Sequence, residues 1–379
     1  MLKGVILHAA NFAAPYGGNF IASLIALETR CEREGCSLVV AVPSKAADKA
    51  WCAQLVAQGH QVRFLPDDGS TLGYATRLAE LVLATQADLL HTHFSSYDVA
   101  AWGARCLLLP RRRELAVVWH AHSDFPSSAT AARRVKDVLK YRVMGNSVQM
   151  VAVSEHVRQR MIDCGFDASA VRTIPNGVDI ARASSAARSK AQMHADLGIP
   201  PEAALLLLFG WEPWIKGVDV AMDAAHQLVQ NGRCIRLAVV GTSALHDFVL
   251  RRSSGRVPPW LQILEPTENV ADLYGAASVF VSASRNEGFP YSVCEAMASG
   301  LPVVLSDIPG VSWARRGSGA VFFPSGDGAA LAGRIDEVLN WSAQERRHNA
   351  EVTQDFVRRE LQIGVWADRI VELYREMLR

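Results

Sequence analysis

Residues 284–302 read SRNEGFPYSVCEAMASGLP, and they are the most informative part of the chain. The apolar run at 278–282 before them predicts a buried strand. Pro290 suits the first turn of a following helix, because its missing N–H would be unpaired there. Gly300 is typical of a helix C-terminus, and the apolar run at 301–305 predicts the next strand. The stretch is therefore expected to fold as strand, loop, helix and strand.

Two glutamates of this stretch, Glu287 and Glu295, bracket the predicted start of the helix. Glu287 falls in the loop after the strand, and Glu295 falls roughly 7 Å along the axis of the helix. The N–H groups that begin a helix lack intrahelical acceptors, so they form a ready site for an anionic phosphate. Two carboxylates for hydroxyl groups beside a phosphate site match the chemistry of a sugar nucleotide.

The same residues carry a resemblance to a known family. Glu287 and Glu295 with seven residues between them, EGFP at 287–290 and EAMASGLPVV at 295–304 resemble the signature of retaining glycosyltransferases of the GT-B fold, family 4 type. The alternative is a plain strand–loop–helix with surface carboxylates, since two glutamates at this spacing also arise by chance. The resemblance extends over almost the whole chain, although its specific motifs lie mostly in the C-terminal half.

Composition and charge argue against several classes of protein. The 379 residues suffice for two domains, and an apolar content of 50% fits a globular protein. A formal net charge of +1 argues against general nucleic-acid binding. No apolar run reaches the ~18–20 residues of a membrane span, and the N-terminus lacks the features of a signal peptide. The 7 cysteines are scattered without a CxxC pair, as expected of reduced thiols in a cytoplasmic protein.

Short apolar runs alternate with helical stretches, which predicts an α/β protein with parallel sheets covered by helices on both faces. The resemblance implies a GT-B fold, in which two Rossmann-like domains face each other across a cleft. We expect an N-terminal acceptor domain at 1–178, to which an amphipathic C-terminal helix at 362–379 returns, and a C-terminal donor domain at 179–361. The segment 181–192, without a strand pattern, is interpreted as the connection into the second domain. The predicted strands are 4–8, 38–42, 62–65, 89–92, 116–119, 150–153, 171–174, 204–209, 235–240, 261–264, 278–282, 303–305 and 320–323.

The motif LLFGWEPWIKGVD at 207–219 resembles the first β–α connection of the family's donor domain. The resemblance implies that Gly210 lies in the donor loop and that Lys216 clamps the diphosphate, where a cation stabilises the charge of the leaving nucleotide. The family's usual arginine is replaced here by Trp211, which is a departure, and Arg285 is an alternative cation. A solvated surface lysine is the plain alternative for Lys216.

The resemblance also implies roles for the central motif. Glu295 is expected to accept hydrogen bonds from the ribose hydroxyls, and Glu287 is expected to contact the donor sugar. The amides at the start of the helix are expected to hold the diphosphate; the residues concerned are Gly288, Phe289, Pro290 and Tyr291.

Two features of the first half resemble the acceptor-facing side of the family. Gly17 and Gly18 precede a predicted helix, and the resemblance places them in the loop near the donor diphosphate and acceptor; a plain tight turn is the alternative. The strand at 116–119 runs into the turn HAHSD at 120–124. The resemblance implies a histidine near the donor sugar, for which His122 fits best and His120 is the other candidate. For His120 and His122, a pair of structural histidines is the plain alternative. Asp124 is the nearest candidate for a carboxylate nucleophile.

A basic stretch at 130–145 predicts a helix whose charged residues could contact an anionic membrane or acceptor, with a solvated helix face as the favoured alternative. The residues concerned are Arg133, Arg134, Lys136 and Lys140, and residues 111–113 add a second basic cluster.

The predicted function is that of a retaining, metal-independent glycosyltransferase. It would move a sugar from a nucleotide donor, with UDP or GDP as the expected nucleotide and no cofactor, to a glycan, lipid-linked or small-molecule acceptor, as in polysaccharide biosynthesis. Expected partners include no nucleic acid, and the expected location is the cytoplasm, with peripheral membrane contact as an option. The alternatives are a non-catalytic GT-B binding subunit and, among enzymes, a phosphorylase or an epimerase. A dehydrogenase is disfavoured because no GxGxxG motif follows a strand.

Overall fold

The structure is a computed structural model that describes residues 4–67, 69–111, 114–123, 138, 141–315 and 317–379. The chain forms two compact units. The first contains Met1–Gly177 and Ile363–Arg379, and the second contains Val178–Gln362. These limits lie within one residue of the expected domain limits.

The first unit is built on a parallel sheet of seven strands in the order β3-β2-β1-β4-β5-β6-β7. This order places the topological switch point between β1 and β4, where ligands bind in open α/β sheets. The strands are β1 Gly4–Ala10, β2 Cys36–Pro43, β3 Gln61–Leu65, β4 Leu89–His93, β5 Ala116–Ala121, β6 Gln149–Ala152 and β7 Val171–Thr173. Helices of this unit are α1 Gly18–Glu34, α2 Ala50–Ala57, α3 Thr71–Thr85, α4 Asp98–Leu108 and α5 Glu155–Asp163.

The second unit repeats the same plan with six parallel strands in the order β10-β9-β8-β11-β12-β13. Its switch point lies between β8 and β11. The strands are β8 Ala204–Phe209, β9 Ile235–Val240, β10 Leu261–Leu264, β11 Val279–Ser282, β12 Val303–Asp307 and β13 Val321–Pro324. Helices of this unit are α6 Ile180–Ser184, α7 Lys190–Asp196, α8 Val218–Gln230, α9 Ser243–Arg252, α10 Val270–Ala276, α11 Tyr291–Ala298, α12 Gly328–Leu339 and α13 Ala343–Phe356.

The α/β fold class with two Rossmann-like sheets is confirmed, and each of the thirteen predicted strands is present. The segment interpreted as a connection differs from its prediction. Residues 181–192 enter the short helices α6 and α7, which belong to the second unit. Side-chain caps explain these helices, because Asp179 accepts from the Arg182 amide and Ser189 forms a capping box with Gln192.

The C-terminal helix α14, Ile363–Met377, belongs to the first unit, as predicted. Its apolar stripe packs into the core of that unit, and the buried members are Trp366, Ala367, Ile370, Val371, Leu373 and Tyr374. Across the part of the chain that the structure describes, every helix is too short or too polar to cross a bilayer.

Candidate active site

In the second unit, Lys216 and Glu287 meet at the switch point. Lys216 lies in the loop between β8 and α8, and Glu287 lies in the loop between β11 and α11. The Lys216 Nζ atom donates a hydrogen bond of 2.6 Å to Glu287 Oε1, and Ser284 Oγ donates to the same oxygen at 2.7 Å. The Glu287 side chain is 10% exposed and that of Lys216 is 24% exposed. A half-buried ion pair therefore lies where a ligand of this fold is expected.

Two glycines allow the loops of this ion pair to approach each other closely. A Cβ atom on Gly217 would lie 1.9 Å from the Ala283 carbonyl oxygen, and φ at Gly217 is +65°. A Cβ atom on Gly310 would lie 1.8 Å from the carbonyl oxygen of Glu287. Real Cβ atoms do not fit at such distances, so the positions of Lys216 and Glu287 depend on bare backbone at both glycines.

The second carboxylate, Glu295, is buried in helix α11 at 7% exposure. Arg182 of α6 donates to its Oε1 atom, and the Tyr274 hydroxyl donates to Oε2 at 2.7 Å. Burial raises the pKa of the Glu295 carboxyl above its ordinary value, although the Arg182 charge and both hydrogen bonds act in the opposite direction. Burial and the neighbouring Glu295 carboxylate also raise the pKa of Tyr274 well above 10.0, so the phenol keeps its proton. Glu295 is thus oriented by two donors before any ligand arrives.

Sequence reasoning missed Arg182 and Tyr274. Arg182 is separated from Glu295 by 113 residues and lies in the segment interpreted as a mere connection, so no local pattern pointed to it. Tyr274 occupies an apolar-looking stretch, where a buried tyrosine hydroxyl needs a partner. That need is the one signal that could have marked it.

Helix α11 begins one residue later than the sequence suggested, because Pro290 is its N-cap and Tyr291 its first residue. Phe289 is buried and stacks on Trp313 with ring centroids 4.4 Å apart, which fixes the loop after Gly288. The positive end of the dipole of α11 lies at this loop. Gly288, Phe289, Pro290 and Tyr291 therefore lie together at the helix start, where Pro290 has no N–H to donate; the phosphate site stays a prediction.

Arg285, the alternative cation, is committed to other groups. It donates to both carboxylate oxygens of Asp219, at 2.8 and 2.7 Å, and to the Trp214 carbonyl. Its guanidinium carbon lies 3.7 Å from the centroid of the Trp214 ring. Burial disfavours the Asp219 carboxylate, but the hydrogen bonds and charge of Arg285 outweigh it and lower the pKa of Asp219. Lys216 is therefore the cation on Glu287, and Trp211 lies half-exposed in the same loop after β8.

The remaining glycine candidates differ in how closely other atoms approach them. A Cβ atom on Gly210 would lie 2.9 Å from Val218 and from Val239, so Gly210 serves the packing of β8 against its neighbours. Gly18 begins α1 with φ of +56° and open space around its missing Cβ atom. A Cβ atom on Gly17 would lie 3.1–3.2 Å from the side chains of Ile21 and Trp51.

In the first unit, five histidines gather at the carboxyl ends of β1, β4 and β5. Residues two apart on a strand share a face, so the pair in β4 and the pair at the end of β5 each point one way. The register sets His8 beside His91 and His93 beside His120. Four of the rings are fully buried, and His122 alone among the five is partly exposed; the five are His8, His91, His93, His120 and His122.

Burial dominates the electrostatics of this cluster. It lowers the pKa of His8 and of His122 to about 3. It also lowers the pKa values of His91, His93 and His120 well below 6.5, with neighbouring imidazoles adding to the effect. The cluster is therefore neutral at physiological pH.

Strained backbone and aromatic rings surround His122. Phe94 and Ser95, directly after β4, have φ of +64° and +56°, which side chains rarely adopt. The Phe94 ring stacks on His122 with centroids 4.5 Å apart, and the Phe20 ring meets His122 edge-on at 5.9 Å. Strain of this kind costs about 1–3 kcal/mol and concentrates at functional sites.

Part of the cluster is poorly arranged for a metal ion. Two sets of three, His8 with His91 and His93, and His93 with His120 and His122, have ring nitrogens within 4.8 Å of one another. The rings of His120 and His122 are stacked, with centroids 4.2 Å apart and an angle of 18°. A metal lies in the plane of a ligating imidazole, so stacked rings do not aim their lone pairs at one point. The expectation of no metal stays a prediction.

Some candidates cannot be placed. Asp124 and the basic residues Arg133, Arg134, Lys136 and Lys140 lie outside the described residues.

Comparison with known proteins identifies the family. A model described as Glycosyltransferase Family 4 matches residues 23–182, and a model of Glycosyl transferases group 1 matches residues 204–340. A D-inositol 3-phosphate glycosyltransferase of Nocardia farcinica is 28% identical over 279 residues, which cover 67% of this chain and 57% of that relative. The chain thus spans somewhat more than half the length of this relative.

Solved structures support the same fold. A glycosyltransferase from Rickettsia africae has a TM-score of 0.82 at 17% identity, with 100% of this chain and 99% of that chain covered. Anabaena HepE in complex with UDP-glucose has a TM-score of 0.80 at 17% identity, with 99% of this chain and 100% of that chain covered. The two family models, which match residues 23–182 and 204–340, place the chain among the GT-B glycosyltransferases of the family 4 type.

Proposed function

We propose that this GT-B chain of the family 4 type transfers a sugar from a nucleotide sugar to an acceptor hydroxyl, with retention at the anomeric carbon and without a metal ion or cofactor. The observation that carries the proposal is the grouping of Lys216, Glu287 and the start of helix α11 around one switch point, with Glu295 oriented nearby. It combines a cation, two carboxylates and a helix dipole in one unit.

In this proposal the second unit binds the donor. The diphosphate takes the place of Glu287 as the main partner of Lys216 and receives hydrogen bonds from the start of α11. Glu287 is released to accept hydrogen bonds from the sugar hydroxyls. Glu295, held by Tyr274 and Arg182, keeps lone pairs on both oxygens for the ribose hydroxyls.

The chemistry requires stabilisation of the leaving diphosphate. The donor C1–O bond breaks, the acceptor oxygen bonds to C1 on the same face, and the acceptor proton passes to the leaving phosphate. Lys216 and the helix dipole stabilise the negative charge that develops, so no metal is needed for that task. For the first unit we propose the acceptor side, with His122 as its hydrogen-bonding group.

The nucleotide is proposed to be UDP, because the structurally similar Anabaena protein binds UDP and UDP-glucose. The acceptor is proposed to be a polyol or sugar hydroxyl, in keeping with the D-inositol 3-phosphate glycosyltransferase among the relatives. GDP remains the second nucleotide of the proposal.

The test is a thermal-shift screen against UDP, GDP, ADP, TDP and their sugars, followed by release of the nucleotide in the presence of polyol acceptors. We expect UDP and UDP-sugars to raise the melting temperature by several degrees in the wild type, and the Glu295→Gln variant to lose this rise. Glu337→Gln is the matched control, since Glu337 forms an exposed pair with Arg334 in the same unit. A rise that persists in Glu295→Gln, or no rise with any nucleotide, would contradict the proposed donor site.

A second candidate is a non-catalytic subunit that binds a nucleotide sugar or glycan. Trp211, where the family has an arginine, is the observation that favours it. Nucleotide binding without any sugar transfer or donor hydrolysis would support this candidate over the enzyme.

A further inference from the structure

A continuous hydrogen-bonded chain links four histidines of the first unit through one tyrosine. His122 Nε2 lies 3.0 Å from His93 Nδ1, and His93 Nε2 lies 2.9 Å from His8 Nδ1. His8 Nε2 lies 3.0 Å from the Tyr374 hydroxyl, which lies 2.6 Å from His91 Nδ1. Both ring nitrogens of His93 and of His8 are used, so the chain has no gap.

We propose that these hydrogen bonds form a proton relay in which Tyr374 makes all four histidines adopt the same tautomer. Tyr374 then decides which nitrogen of His122 carries hydrogen. His8, His93 and Tyr374 are then positioning residues for His122. The use of His122 in catalysis rests on the proposed function, whereas the relay itself does not.

The tautomers follow from counting hydrogens. Because burial keeps each ring neutral, each histidine has one N–H and one bare nitrogen. Each link needs one donor and one acceptor. If the Tyr374 hydroxyl donates to His91 Nδ1, it accepts from His8 Nε2, and every ring in the chain carries hydrogen on Nε2. If the hydroxyl donates to His8 Nε2 instead, every ring carries hydrogen on Nδ1.

The two ends of the relay are the atoms that this choice changes. His91 Nε2 and His122 Nδ1 are buried and have no hydrogen-bond partner among the described residues. In one direction His122 Nδ1 is a bare acceptor, and in the other it is a donor. A group that reaches His122 Nδ1 therefore meets a defined acceptor or a defined donor, and a buried ring without the relay would be free to present either.

The C-terminal helix gives the relay its fixed point. Tyr374 lies in α14 with its ring fully buried. Its hydroxyl is the one group of the relay that donates and accepts through a single atom. Burial raises the pKa of Tyr374 well above 10.0, so the phenol stays protonated. Helix α14 is thereby linked to His122, at the end of β5, through the hydrogen bonds of Tyr374, His8 and His93.

The fifth histidine, His120, stands outside the relay. Both of its ring nitrogens are buried without a partner among the described residues, and its ring stacks on His122 and His91. It therefore provides an internal contrast, since nothing couples its tautomer to that of the others.

The experiment is long-range ¹H–¹⁵N correlation NMR of the ¹⁵N-histidine-labelled full chain, which distinguishes a protonated from a bare ring nitrogen. Assignments come from single His→Gln variants, and the samples are treated with EDTA before measurement. We expect His8, His91, His93 and His122 to share one tautomer in the wild type. In Tyr374→Phe we expect His91 to become independent of the other three, with part of its population in the opposite tautomer.

Several outcomes would overturn the relay. Mixed tautomers among His8, His93 and His122 in the wild type would do so. An unchanged pattern in Tyr374→Phe would remove the tyrosine from the relay. A metal ion that remains bound at one equivalent after EDTA, or ring signals that shift on addition of zinc alone, would replace the relay with a metal site.

Activity separates the relay from the proposed function. Given a working donor and acceptor, Tyr374→Phe is expected to lower kcat at least tenfold with little change in the KM of the donor. If the four histidines share one tautomer but the protein has no transferase activity, the relay is retained and the proposed function is rejected. If the protein is an active transferase but the tautomers are mixed, the relay is rejected and the proposed function is retained.

Discussion

The two units place opposite kinds of polar chemistry at the switch points of sheets with the same strand order. In the first unit five histidines, four of them fully buried, are neutral and stack on one another. In the second unit Lys216 and Glu287 form an ion pair, and Arg182 binds the buried Glu295. The difference teaches that one sheet topology sets where polar groups gather, and that the available partners decide whether they are charged.

The largest expected effect on this contrast comes from pH. Each histidine has a pKa near 6.5 in the unfolded chain and a much lower one in the fold, so the unfolded state binds more protons below pH 6.5. The free energy of unfolding should therefore fall as the pH drops, by about 1.4 kcal/mol per histidine one unit below 6.5. Glu295 acts in the opposite direction, since its raised pKa makes the folded state the better proton binder.

Hydrogen exchange followed by mass spectrometry at pH 7 and 5.5, corrected for intrinsic rates, measures this difference. Peptides of β4 and β5 should lose protection before those of β8 and β11. His120→Leu removes one titrating ring without breaking a hydrogen bond of the relay, and it should reduce the loss of protection at pH 5.5. Equal loss of protection in both units would contradict the assignment of the acid sensitivity to the histidines.

The second effect concerns the ion pair of Glu295. Glu295→Ala leaves Arg182 without its carboxylate in a half-buried site, and removal of one partner of a buried pair costs roughly 3 kcal/mol. Chemical denaturation measures the change. The double variant Glu295→Ala, Arg182→Met should recover part of the loss, because it leaves no unpaired charge. Additive losses in the double variant would mean that the two groups do not interact in solution.

The third effect tests the close approach of the loops. Gly217→Ala should destabilise the second unit by about 2 kcal/mol and weaken nucleotide binding, since the new Cβ atom collides with Ala283. Gly232→Ala is the matched control, with φ of +80° but nothing within 4 Å of the missing Cβ atom. Denaturation and UDP titration of both variants measure the collision separately from the backbone strain. Equal effects in both would assign the cost to strain alone.

The smallest effect is expected at Trp211. Trp211→Arg adds a cation to the exposed loop that carries Lys216, where a charge contributes roughly 0–1 kcal/mol. We expect UDP to bind about threefold more tightly, as measured by calorimetry at low salt. Trp211→Leu separates the added charge from loss of the ring. Tighter binding in both variants would show that the indole itself obstructs the site.

Much of this arrangement was predictable from periodicity and motifs. The alternation of apolar runs predicted all thirteen strands, because a buried parallel strand needs an uninterrupted apolar run. The motif around Glu287 and Glu295 placed both carboxylates correctly in the loop and the helix. The ion pair of Lys216 with Glu287 was not predicted, because the sequence assigned both residues to a ligand and not to each other.

The sequence by itself determined the two α/β units, their strands and the position of each motif at a strand end, because these depend on local periodicity and turn chemistry. Only the tertiary structure decided the partners of the functional side chains. Arg182 reached Glu295, and Tyr374 reached His8 and His91, across more than a hundred residues of chain. Such pairings follow from strand register and helix packing, which bring distant residues together and bury them, and burial then sets whether each group is charged or neutral.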